Sequence, residues 1–157
     1  MSSSDIEARL QRLEDIEAIK QLKARYCAYC DDDYDADGIA GLYTEDGTWD
    51  GSPSFPSLNG REEIREFFKG AAEIMTLARH QVMNPIIEVE GDEANGQWLL
   101  FQPCTDANAG AVWLAATYLD GYRRVGDDWK IAATRIEVSF FSPYEKGWEA
   151  ERFVGES

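Results

Sequence analysis

Asp5-Ile-Glu-Ala-Arg-Leu-Gln-Arg-Leu-Glu-Asp-Ile-Glu-Ala-Ile-Lys-Gln-Leu-Lys-Ala-Arg-Tyr-Cys-Ala-Tyr-Cys30 carries apolar side chains at Ile6, Leu10, Leu13, Ile16, Ile19, Leu22 and Tyr26. Steps of three and four residues trace one stripe of an amphipathic helix. Ser4 or Asp5 suits the N-cap, with acids in the first turn, and the helix is expected to end near Cys30. At about 1.5 Å per residue it is nearly 40 Å long.

Working outward, an acidic loop follows, Asp31-Asp-Asp-Tyr-Asp-Ala-Asp-Gly38, then a short helical stretch at Ile39–Tyr43. Gly47-Thr-Trp-Asp reads as an edge strand, and Gly51–Gly60, with Pro53 and Pro56, reads as loop. Arg61–Met75 returns to helical spacing through Ile64, Phe67, Phe68 and Ala71. From His80 onward the period changes to two. Ile86–Glu90, Gln97–Gln102, Ala111–Arg124 and Trp129–Phe141 are rich in β-branched and aromatic residues, with hairpin-length connections. Helices first and strands second predict one α+β domain over 1–157. A long helix and a shorter one on a curved, mostly antiparallel sheet make a cone-shaped barrel with a cavity open at one end.

The composition fits a packed pocket. The chain has 157 residues, 44% of them apolar and 12% aromatic, enough for a core and for the walls of an apolar ligand site. Its net charge of −15 repels phosphate backbones and anionic lipid, so neither nucleic acid nor a membrane surface is expected as a partner. No apolar run approaches the roughly 18–20 residues of a membrane span. The first residues hold no apolar signal core, and three cysteines make no disulfide framework. A cytoplasmic protein is the expectation.

The chain has one histidine, His80. Alternation places it with Val82 and Asn84 on one strand face, the apolar Val82 marking that face as concave. Tyr26 and Asp31 stand five residues apart, about 140° on an ideal helix, so both reach one site only if the helix ends near Cys30. A carboxylate there meets the negative end of the helix dipole, a local conflict of the kind that marks function. Asp32, Asp33, Asp35 and Asp37 read as a solvated loop. Their rival reading is half of a calcium loop, Asp33-x-Asp35-x-Asp37-Gly38, whose twelfth position is Thr44 instead of Glu. Cys27-Ala-Tyr-Cys30 lies within the helix without a second pair, and reads as small core residues. No phosphate-binding glycine loop or nucleophile elbow occurs, so no cofactor and no metal are expected.

These landmarks resemble the SnoaL-like domains of the nuclear transport factor 2-like superfamily. The resemblance runs from Asp15–Asp31 through Leu42–Trp49, Asn59–Ile64, Arg79-His80 with Asn84, and Tyr122–Ile131 to Arg135. Within that superfamily the chain is most similar to the scytalone dehydratase, bile-acid 7α-dehydratase and lindane dehydrochlorinase group. That likeness implies an Asp31–His80 dyad with Tyr26 as hydrogen-bond donor, and Trp49, Asn84, Tyr118 and Arg135 as substrate contacts. It implies a dehydratase-like lyase acting on a small hydrophobic, cyclic substrate. The alternatives are an isomerase or polyketide cyclase in the same pocket, or a binding protein without catalysis. A homo-oligomer, trimer or dimer, is expected, because one short helix cannot cover the apolar convex face of the sheet.

Overall fold

A computed structural model describes residues 2–156. Helix α1 spans Ser3–Asp31, longer at both ends than its periodicity indicates. Its cap is Ser2, which forms a capping box with Asp5, so both ends of the motif accept an otherwise orphaned backbone N–H. The apolar stripe divides in two. Ile6, Leu10 and Leu13 are exposed, whereas Ile19, Leu22, Tyr26, Cys27 and Cys30 are buried. Only the second half of the helix has the sheet beneath it.

The acidic segment is ordered by its own side chains. Asp35 caps the short helix α2 (Ala36–Gly41) by accepting the Gly38 N–H at 3.0 Å, and Asp37 pairs with Arg65 at 2.9 Å. Among the described residues no three His, Cys, Asp or Glu side chains form a metal-binding group. Strand β1 (Tyr43–Asp50) is longer than expected and interior to the sheet. The edge is β2 (Ser57–Asn59), which pairs antiparallel with β1 inside the segment expected to be loop. Helix α3 covers Arg61–Ile74 and buries Ile64, Phe68 and Ala71.

The remaining strands are β3 (Met75–Ala78), β4 (Gln81–Glu90), β5 (Glu93–Asp106), β6 (Gly110–Val125) and β7 (Asp128–Pro143), with a one-turn helix α4 at Gly147–Ala150. The sheet order is β2-β1-β7-β6-β5-β3, with β4 also on β5. It is mixed, because β1 runs parallel to β7. Alternation turns Trp98, Leu100 and Gln102 of β5 and Leu114, Tyr118, Asp120 and Tyr122 of β6 inward. Register shifts at Ala115/Ala116 and Gly121/Tyr122 bend the long hairpin β6–β7, as bulges do. The sheet curls around the buried half of α1, with α3 closing the side. No described helix is long and apolar enough to cross a membrane.

The interior also holds an ion pair. Lys23 on α1 and Asp120 on β6 are both fully buried, with Nζ 2.8 Å from Oδ2. The ammonium lies 3.5 Å from the Tyr118 ring centroid and 4.8 Å from that of Tyr26. Asp120 Oδ2 also accepts the Tyr122 hydroxyl at 2.8 Å, and that hydroxyl accepts Trp98 Nε1 at 3.0 Å.

Candidate active site

Strands β3 and β4 both pair with β5, at different halves of it, and are separated only by Arg79 and His80. That break takes the His80 backbone N–H out of the ladder. It is donated instead to the Asp31 carboxylate, at 2.9 Å to Oδ1 and 3.2 Å to Oδ2. The imidazole Nδ1 of the same residue lies 2.7 Å from Asp31 Oδ1. One carboxylate therefore fixes both the backbone and the ring of His80.

Asp31 is the last residue of α1, so chain termination brings it to the strand break. Its unfavourable place at the negative end of the helix is offset from outside the helix, because Arg79 Nη1 donates to the Asp31 carbonyl at 3.1 Å. Burial opposes ionisation of Asp31. The His80 side-chain and backbone hydrogen bonds, with the charge of Arg79, outweigh it and hold the carboxyl below its ordinary value. An ionised carboxylate only accepts, so Nδ1 carries the proton of the neutral ring and Nε2 keeps a free lone pair. With its side chain 6% exposed, His80 is shielded and held in one tautomer.

Around the dyad the interior is aromatic. Tyr26 is 1% exposed and its ring meets those of Tyr43, Phe68 and Tyr118 edge-on. Its hydroxyl accepts Trp49 Nε1 at 3.2 Å. Burial pushes its phenol well above the ordinary tyrosine value, so it stays protonated. Trp49 is buried against Phe55, Phe67 and Phe68, and Tyr118 lies under Lys23. Tyr26, Trp49 and Tyr118 thus belong to one aromatic core, which reaches His80 through Phe68 and Tyr34.

Two expected substrate contacts lie elsewhere. Asn84 is exposed, with φ +52° at a register shift between Met83 and Ile86. Pro85 has no N–H for the ladder, and the resulting bulge breaks the alternation that would align Asn84 with His80. Arg135 is 57% exposed and bonded to Glu137 on the outer face. Tyr34, inside the acidic run read as solvated, is buried instead. Its ring stacks on Phe68 at 5.9 Å and meets the His80 ring edge-to-face at 6.2 Å. A lone aromatic among acids was the available signal. A cleft of about 530 Å³ between α1 and the β6–β7 turn, floored by Asp15, Arg124 and Trp129, shares no residue with the dyad.

Cys27, Cys30 and Cys104 are free and buried. Burial raises the Cys27 thiol to about 11 and the Cys104 thiol to about 12, and pushes Cys30 well up. Since the thiolate is the reactive form, the native protein should react negligibly with a disulfide reagent such as Ellman's at pH 8. All three thiols should appear on adding denaturant. Rapid native modification of Cys27 or Cys30 would contradict a core role.

A model of the SnoaL-like domain matches residues 11–135. Among solved structures, a protein of unknown function from Mycobacterium tuberculosis shares 27% identity at a TM-score of 0.74, over 88% of this chain and 76% of its own. Hexachlorocyclohexane dehydrochlorinase LinA-type3 from Novosphingobium barchaimii LL02 shares 20% identity at a TM-score of 0.78, over 86% and 93%. An NTF2-like protein with a cystatin-like fold from Novosphingobium aromaticivorans shares 23% at 0.70, over 95% and 94%. At such identities the last two show the fold alone. No curated protein matches by sequence. With a family model spanning most of its length and the fold in agreement, the chain belongs to the SnoaL-like family.

Proposed function

We propose that this protein is a cofactor-independent lyase of dehydratase type, which abstracts a proton from a hydrophobic cyclic small molecule. The observation that carries the reading is the 2.7 Å contact between His80 Nδ1 and Asp31 Oδ1. It leaves Nε2 as the base, with the Tyr34 ring edge-to-face against the imidazole. His80 takes a proton next to an activating carbonyl, Asp31 stabilises the imidazolium formed, and a tyrosine hydroxyl meets the oxygen on which charge develops. Exclusion of water favours elimination over hydrolysis. A dehydrochlorinase on the same fold, removing HCl from a ring, is consistent with this reading.

The test is turnover of a panel of cyclic hydroxy-ketones with product analysis. A dehydrated product supports the lyase. A shifted double bond assigns an isomerase instead, and tight binding without turnover assigns a binding protein.

We also propose that the chain self-associates. Ile6, Leu10 and Leu13 on α1, and Met83, Leu99 and Leu119 on the outer sheet face, are exposed, beyond the scattered single apolar residues of a monomer surface. Light scattering should give two or three times the 17.7 kDa chain mass. A monomer at tens of micromolar would rule this out.

A further inference from the structure

Tyr26 has little left to offer a substrate. Its hydroxyl already takes the Trp49 indole N–H and contacts Cys30 and Tyr43, and its ring is enclosed by three others. Tyr34 is placed differently. It follows α1 by three residues, and the chain reaches it through two consecutive left-handed residues, Asp33 at φ +49° and Tyr34 at φ +54°. Aspartate tolerates that region, but for tyrosine it is a strained backbone state. Strain of this kind persists where surrounding structure enforces it, and it clusters at functional sites.

Here the enforcement is visible. Tyr34 N–H donates to the Cys30 carbonyl at 3.3 Å, and Asp35 N–H to those of Tyr29 at 2.9 Å and Asp32 at 3.2 Å. The turn folds the ring back over the end of α1, where Phe68 stacks on it and the His80 ring meets it edge-to-face. Gln102, 3% exposed on the inner face of β5, lies beside the phenol. A neutral amide N–H can donate to a phenol oxygen and leave the single O–H of that phenol free for a third group. Burial holds the phenol protonated, so it remains a donor at neutral pH.

We propose that Tyr34, oriented by Gln102, is the catalytic hydrogen-bond donor beside His80 that receives the oxyanion formed when the substrate loses its proton. This rests on the proton-abstraction reading above. In the step, His80 Nε2 takes the proton as the C–H bond breaks. That electron pair becomes the C=C of an enolate while the carbonyl π pair moves onto oxygen. The Tyr34 O–H donates to that oxygen and keeps its proton. The ligand class is accordingly an enolisable cyclic ketone whose carbonyl oxygen faces Tyr34.

The half-reaction can be followed without the natural substrate, as exchange of the α-protons of 2-tetralone in D2O by proton NMR. Tyr34→Phe keeps the ring stacked on Phe68 and removes only the hydroxyl. It should slow protein-catalysed exchange by about 100-fold, the scale of one lost oxyanion donor. The single imidazole should keep the 15N pattern of its Asp31-bound tautomer. Gln102→Leu, which leaves the strained turn intact, should lose about tenfold and serves if the first variant folds poorly. Exchange equal to wild type in both variants overturns the assignment to Tyr34 and leaves the dyad standing. Exchange by wild type no faster than by His80→Ala removes the proton-abstraction reading, and Tyr34 with it.

Discussion

Replacing His80 with alanine is expected to reduce proton abstraction by about 10²–10⁴-fold, the usual contribution of a positioned general base. The fold should hold to within about 1–2 kcal/mol, because the backbone N–H that ties residue 80 to Asp31 survives the change. Asp31→Asn should be comparably damaging for a different reason. A carboxamide can turn its NH2 toward Nδ1, which moves the ring proton to Nε2 and occupies the lone pair that the proposed abstraction uses. In serine proteases the same substitution of the triad aspartate costs about 10⁴. Because the chain has one histidine, 15N shifts of its imidazole report the tautomer without assignment ambiguity. They should show Nδ1 protonated in the wild type and Nε2 protonated in Asp31→Asn. The sign of the acid limb follows from the depressed carboxyl of Asp31. Its bonds to His80 are fully present above the unfolded carboxylate value and are lost as pH falls through the lower folded value. The Asp31 carboxylate's contribution to stability is therefore lost on the acid side. Undiminished exchange in His80→Ala, at unchanged stability, would end the dyad account.

The fold was legible because two periods, three to four in the first third and two in the last half, change at His80. The dyad was legible only in outline. Spacing put Asp31 at a helix end, but what joins it to His80 is the gap between β3 and β4, which frees a backbone N–H. A two-residue pause between strands leaves no compositional mark. Arg135 illustrates the opposite failure. Counting by twos through β7 works until the register shift opposite Gly121 and Tyr122, after which Thr134 turns inward and Arg135 outward. Tyr34 escaped because its burial depends on left-handed dihedrals at Asp33 and Tyr34, which a run of aspartates does not announce. Lys23 and Asp120 were readable in principle. Lys23 falls four residues after Ile19 and three before Tyr26, within the apolar stripe, and Asp120 alternates with Tyr118 and Tyr122. A charge at each of two core positions calls for a partner, and each supplies the other.

That pair sets the largest stability effect expected in the molecule. Lys23→Met should lower stability by about 3–5 kcal/mol, since it strands the Asp120 carboxylate in the interior. For a chain of this size that is a drop of about 10 °C or more in Tm. The Tyr122 hydroxyl still donates to Asp120 Oδ2, but one neutral donor cannot replace an ammonium 2.8 Å away. The site is poorly served by hydrogen bonds from the start. Lys23 Nζ is not aligned for one, and Asp120 Oδ1 has no partner. Much of the pair's attraction is therefore spent against desolvation. Lys23→Met with Asp120→Asn removes both charges and keeps an acceptor for Tyr122, so the double variant should melt well above Lys23→Met alone. The cycle should show a coupling of about 1–3 kcal/mol. Strictly additive losses would mean that Lys23 contributes through its packing over Tyr118 and that the charges are incidental.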